Sequence, residues 1–224
     1  MNSYNIKAVL FDLDGVLIDS NFEIEKFWKN WATREGIVFT RDAVEKHILG
    51  RTTLETINEL FMKSSEQIKE EIHKSAVDFD MNMHPGLIKD ADRFLKELAT
   101  FSQKIALVTS SPKIRAKRIL ERHNIYSHFI SSVTGEDVIA GKPDPEPYLL
   151  GASKLKINPE ECLVFEDSNN GILSALAAGM YVIAVDNKME NDKIISRINN
   201  YVNLKIENEF IVAIDKSIRI KMIN

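Results

Sequence analysis

An α/β fold is what this sequence predicts: a parallel sheet covered by helices on both faces, with a helical segment inserted after the first strand. Three observations carry it. From Pro85 onward, short and almost continuously apolar runs alternate with amphipathic stretches, as buried parallel strands do with their crossover helices. One further run of the same kind, KAVLFDL at residues 7–13, stands alone near the start, and residues 21–84 behind it carry helical periodicity with no good strand. The chain has 224 residues, 44% of them hydrophobic, enough for one large core and an inserted module.

Taken in order, residues 7–13 form the first strand. Ile24, Phe27, Trp28 and Trp31 recur at the spacing of one helix face, and Gly36 is placed to close that helix. The two tryptophans read as packing residues of this segment. Thr40 caps a short second helix in RDAVEKHIL. TTLETINELFMK puts Leu54, Ile57 and Phe61 on one face of a third, and Ser64 with Gln67 has the spacing of a capping box before a fourth carrying Ile68, Ile72 and Ala76. Strands are expected at 104–110, 129–134, 162–167 and 181–186. The stretches LIKDADRFLKELATF, SPKIRAKRILERHN, PEPYLLGASKL and GILSALAAG supply helices among them. Near the end, YVNLKI reads as a short edge strand and residues 209–222 as a closing helix. The boundaries are core 1–18, helical insertion 19–84 and core 85–224.

Composition excludes several functions. A net charge of −4 and no basic stripe give nucleic acid nothing to hold. No apolar run approaches the ~18–20 residues of a membrane helix, and no signal-peptide pattern opens the chain, so a cytoplasmic protein is expected. The single cysteine, Cys162, rules out an internal disulfide, fits a reducing compartment and reads as structural. The histidines show no metal-ligand spacing.

In an open parallel sheet, ligands gather at the carboxyl ends of the strands. The first strand ends in Asp12 and Asp14, the next in Thr109, Ser110 and Ser111, and the strand at 162–167 in Glu166 and Asp167; Lys142 stands in the loop GKPDP. Two carboxylates one residue apart repel each other and are costly beside an apolar wall, so cations are expected there. A hard divalent ion such as Mg²⁺ takes oxygen ligands of this kind, and Lys142 is a second positive charge. The same set suits phosphoryl transfer: Asp12 as nucleophile, Asp14 two residues on as acid and base, and Mg²⁺, Lys142 and Thr109 as clamps on developing charge. A phospho-accepting signalling module also collects aspartates, a threonine and a lysine at a sheet rim. The helical insertion and the D-x-D, however, have no purpose in one.

The set DLDGVLIDS, LVTSS, GKPDPEPY and FEDSNNGILSALAAGM, in this order and spacing, resembles the haloacid dehalogenase superfamily, and within it the branch of sugar-phosphate phosphatases and β-phosphoglucomutase. The resemblance implies a Rossmann-like core with an all-helical cap, and a Mg²⁺-dependent hydrolase acting on a small phosphorylated sugar or polyol through an aspartyl-phosphate. It places the nucleophile on Asp12, the acid/base on Asp14, phosphate binding on Thr109, Ser110 and Lys142, and metal ligation on Asp12, the Asp14 main-chain carbonyl, Glu166 and Asp167. The cap loop at 49–55, with Arg51, Thr52 and Thr53, corresponds to the family's specificity loop. The mutase branch carries a histidine, a lysine and an arginine in the cap where this chain has Ile24, Leu49 and Thr53. Nothing at Ile24 then restrains Asp14 from activating water, and hydrolysis is expected over isomerisation.

Overall fold

The structure is a computed structural model that describes residues 4–101, 104–213 and 219–223. In chain order it comprises β1 (Asn5–Ile6), β2 (Ala8–Phe11), β3 (Ile18–Asp19), α1 (Asn21–Arg34), α2 (Arg41–His47), α3 (Thr53–Leu60), α4 (Glu66–Asn82), β4 (Gly86–Leu87), α5 (Ala91–Phe101), β5 (Ile105–Val108), α6 (Lys113–Arg122), β6 (Ser131–Val133), α7 (Glu146–Leu155), β7 (Cys162–Glu166), α8 (Asn169–Ala177), β8 (Tyr181–Val185), β9 (Ile194–Ile198), β10 (Leu204–Glu207), β11 (Phe210–Ala213) and β12 (Arg219–Met222).

The main sheet runs β6-β5-β2-β7-β8-β9, with every neighbouring pair parallel. The strand read at residues 7–13 is therefore central, and β2 is where the strand order reverses. Its residues alternate strictly between two cores. Val9 and Phe11 face the side packed by Phe94, Leu95 and Leu98 of α5 and Ile119 and Leu120 of α6. Ala8 and Leu10 face Tyr148 and Ala152 of α7 and Ile172 and Ala175 of α8. All four residues of β2 are buried, which is why an unbroken apolar run is needed. Phe11 stacks on Phe165 of β7 at 4.7 Å.

Helices α1–α4 form the cap, with Trp28, Trp31, Val44, Ile57, Phe61 and Ile72 in its own core. Its two stems are joined by β3 and β4, an antiparallel pair. Gly36, at φ +66°, ends α1: its N–H donates to Thr33 and that of Ile37 to Ala32, satisfying carbonyls that the last turn leaves open. Thr40 caps α2 by accepting from Ala43 N at 3.1 Å.

Four sequence expectations change. The fourth cap helix is capped by Ser65, which accepts from Ile68 N, and not by Ser64, whose hydroxyl donates to Glu35. Leu54 is exposed; Ile57 and Phe61 alone of its trio enter the core. A sixth strand of the main sheet, β9, lies where none was read. The closing helix expected at 209–222 is instead β11 and β12, in a second sheet of order β1-β12-β11-β10; residues 214–218 lie outside the described residues. In β12 apolar residues alternate with charged ones at the period of a strand, β11 is an unbroken apolar run, and Ile211 and Ile220 pair directly in the buried layer. YVNLKI does supply an edge strand, β10, of that sheet.

Candidate active site

Asp12 and Asp14 follow the last residue of β2, the central strand, with β5 on one side and β7 on the other. This is the switch point at which an open α/β sheet opens a crevice between diverging connections. Thr109 enters from the end of β5, and Glu166 ends β7 with Asp167 directly after it. Lys142 comes in from the loop before α7.

Lys142 is fully buried, and each of its three donors has a partner: Asp12 Oδ1 at 2.7 Å, Glu166 Oε1 at 2.5 Å and the Val108 carbonyl at 3.1 Å. Glu166 is held by five donors: Lys142 Nζ and Tyr148 Oη on one oxygen, and Asp167 N, Ser168 N and Ser168 Oγ on the other. Gly171 makes room for it, since a Cβ there would stand 1.7 Å from Glu166 Oε1. Asp167 accepts from Asn21 Nδ2 at 2.6 Å and lies against the turn after Asp14, where a Cβ on Gly15 would meet its Oδ2 at 2.0 Å.

One carboxylate oxygen from each of Asp12, Glu166 and Asp167 lies within 4.8 Å of the other two. Asp12 and Glu166 are buried on Lys142 and Asp167 is half-buried beside them, so with all three ionised the cluster is two positive charges short. Burial pushes Asp12 up to about 8 against the pull of Lys142, with Glu166 and Asp14 adding to the rise. Burial, Glu166 and Asp12 likewise drive Asp167 well above the ordinary carboxylate range. Burial weakens the Lys142 ammonium, but Asp12 and Glu166 outweigh it and hold its proton more tightly than usual. An all-oxygen donor set with that charge deficit fits a hard divalent cation.

Asp14 sits differently. Its two oxygens take four donors: Ser20 Oγ (2.5 Å), Ser111 Oγ (2.8 Å) and both terminal nitrogens of Arg115 (2.6 and 2.7 Å). Burial opposes its charge, yet Arg115 and the two hydroxyls outweigh it and hold its carboxyl below the usual range. Ser20, at the N-cap position of α1, makes no capping bond there. Arg115 was not legible as a site residue. The signal was present, however, because this arginine lies on the face of α6 that buries Ala116, Ile119 and Leu120. Ile24 lines the cleft as an apolar residue, and the side chain that grips Asp14 is Arg115.

Thr109 is buried and its Oγ1 accepts from Ser111 N at 3.1 Å. Ser110 turns to the cap, donating to the Gly50 carbonyl at 2.7 Å. A cleft lies between core and cap, lined at its base by Asp12, Asp14, Thr109 and Ser110 and on the cap side by Ile24, Phe27, Trp28, Arg51, Thr53 and Phe79. Thr52 is not among its lining residues; it caps α3 in a reciprocal capping box with Glu55. Arg51 lines the cleft, but its guanidinium donates to the Lys142 carbonyl at 2.7 Å and pairs with Glu59. Asp137, flanking the lysine loop, supports it by accepting from Thr134 N and Oγ1.

A family model described as haloacid dehalogenase-like hydrolase matches residues 6–179. Hexitol phosphatase A of Escherichia coli is 37% identical over 188 residues, covering 80% of this chain and 83% of its own. Beta-phosphoglucomutase of Bacillus subtilis is 31% identical over 191 residues, covering 80% and 83%. Among solved structures, a Bacteroides vulgatus protein assigned as a beta-phosphoglucomutase superposes with a TM-score of 0.74 at 29% identity, over 89% of this chain and 86% of that one.

Proposed function

The chain belongs to the haloacid dehalogenase-like hydrolases, and from that premise we propose that it is a Mg²⁺-dependent phosphatase of a small phosphorylated sugar or polyol, acting through an aspartyl-phosphate on Asp12. It is a phosphomonoester hydrolase by family and by its phosphatase-named relatives. One observation supports the finer reading above others: two buried carboxylates, Asp12 and Glu166, share a single buried lysine at the switch point of the sheet, with the half-buried Asp167 beside them.

In this reading, Asp12 attacks phosphorus, the bond to the leaving oxygen breaks, and that oxygen takes a proton from the protonated form of Asp14, the form that Arg115 disfavours in the free protein. Water then attacks the phosphoryl group, Asp14 receives its proton, and the bond to Asp12 breaks to release inorganic phosphate. Lys142 keeps Asp12 oriented and offsets charge, and Thr109 offers a hydroxyl to the phosphoryl oxygens, with Ser110 beside it. Asp12, Asp167 and the Asp14 main-chain carbonyl would hold Mg²⁺, with Glu166 reaching it directly or through water. When bound, the ion neutralises charge on the transferring group. The insertion 19–84 would choose the leaving group, and segments 1–18 and 85–224 would carry the chemistry.

The cleft favours hydrolysis over mutation of a sugar phosphate. Among the described residues the two cations that line it, Arg51 and Arg115, are both committed to partners, and Ile24, Leu49 and Thr53 add no charge, so none of these residues offers a free cation to a second phosphate. The hexitol phosphatase relative supports a polyol phosphate as the first substrate to try. A cytoplasmic setting accords with the thiol of Cys162, which is buried and pushed up to about 12. No helix among the described residues is long and apolar enough to cross a membrane.

Turnover of hexitol, sugar and nucleotide phosphates tests the proposal, together with β-glucose 1-phosphate plus a trace of the 1,6-bisphosphate. Phosphate release that stops in EDTA and returns with Mg²⁺ is expected. Rapid formation of glucose 6-phosphate with negligible free phosphate would overturn the hydrolase reading.

A further inference from the structure

Arg115 is 2% exposed and stands between three groups. Its terminal nitrogens grip both oxygens of Asp14. Its Nε lies 3.1 Å from Oδ1 of Asp80, near the end of cap helix α4, an ion pair short of hydrogen-bond geometry. One nitrogen also touches Met83 Sδ at 3.0 Å. One turn along, Arg118 donates to the carbonyls of Asp80 and Met83, so the same helix face fixes the end of α4. A core arginine thus carries the Asp14 carboxylate on one side and leans on the cap on the other.

A carboxylate offers about four lone-pair sites, and here all are taken. The four donors are not equivalent. The hydroxyls of Ser20 and Ser111 swing about single bonds and can yield a site to water, whereas the arginine fork is planar, charged and fixed by burial. We propose that Arg115 is the positioning residue of the water-activating half-reaction: it holds Asp14 toward the phosphoenzyme while a serine hydroxyl gives way to the attacking water, and Asp80 steadies Arg115 from the cap. The proposal rests on the two-step reading above.

The test uses 4-nitrophenyl phosphate with Mg²⁺, because its leaving group needs no proton. For this ester kcat/KM reports phosphoryl transfer to Asp12, and kcat falls when hydrolysis of the phosphoenzyme slows. Arg115→Lys keeps the charge and loses the fork. We expect kcat to drop by about 10- to 100-fold, a part of the general-base contribution. KM should fall in step, so that kcat/KM stays within about threefold, and a burst of nitrophenolate should approach one per enzyme. Asp80→Asn should act in the same direction more weakly. A packing role alone would lower kcat and kcat/KM together without a burst. That result in whichever variant folds, or unchanged kinetics, overturns the inference. Asp12→Asn run alongside separates the two readings. If it turns over the ester like the wild type, the two-step mechanism itself fails; if it is inactive while the Arg115 variant shows no burst, only the role of Arg115 falls.

Discussion

Lys142 decides more at this site than any other single side chain. On sequence alone a lysine in GKPDP is an ordinary solvated charge, and only its company with three other motifs marked it. In the structure it is fully buried between Asp12 and Glu166. Removing one partner of a buried pair leaves an uncompensated charge, a loss of about 3–5 kcal/mol. Lys142→Ala should therefore melt well below the wild type in EDTA and turn over poorly with Mg²⁺; an unchanged melting curve would show that Lys142 is not the counter-charge of this cluster. The residues carried by the D-x-D, ED and GKP motifs were readable because each ends an apolar run or stands in a marked loop. Arg115 was not, because an arginine in an amphipathic helix is read as solvated unless its face is compared residue by residue with Ile119 and Leu120. Thr52 was read as a specificity residue and the fold uses it as a helix cap.

Between elements, the seating of cap on core depends on a few polar contacts. Asn170, in the first turn of α8, donates to the carbonyls of Glu45 (2.9 Å), Lys46 (3.4 Å) and Leu49 (2.8 Å), so a core side chain closes the end of α2 and holds the start of the cap loop. Ser110 and Arg51 add bonds on either side of it. Asn170→Ala strands these carbonyls, at a cost of about 1–3 kcal/mol. It should raise KM and speed amide exchange across residues 45–51 while amides of β7 stay protected. Unchanged exchange there would mean that the loop is held by other contacts. Elements in the core were legible because parallel strands buried on both faces read as apolar runs. After residue 190 the edge strand β10 was legible in YVNLKI, but β9 was not, because it is only partly buried and its pattern is diluted by Ser196 and Arg197. The expected closing helix failed because Phe210–Ala213 is a short apolar run, and such runs do not by themselves separate helix from strand.

Across the whole molecule, the carboxylate cluster links folding, pH and metal. Asp12 has a folded pKa of about 8 against an ordinary value of 3.8, raised by burial, so between those values the folded state keeps a proton that the unfolded chain releases. Stability without a cation therefore falls as pH rises from about 4 to about 8, and Asp167 adds in the same direction. Asp14, held below its usual range, contributes the opposite way only in acid, below about pH 4. Melting in EDTA should be higher at pH 5 than at pH 8, and the gain from Mg²⁺ should be larger at pH 8, where the carboxylates are free to bind it. A gain from Mg²⁺ that does not grow with pH would separate the metal from these carboxylates. The central claim, a covalent intermediate on Asp12, is reached most directly by rapid quenching of the enzyme with a hexitol phosphate and Mg²⁺, followed by peptide mass analysis. The account predicts a transient phosphoryl adduct on the peptide containing Asp12, absent from Asp12→Asn and from enzyme in EDTA. Phosphate release with no adduct at any quench time, or an adduct on another residue, would contradict it.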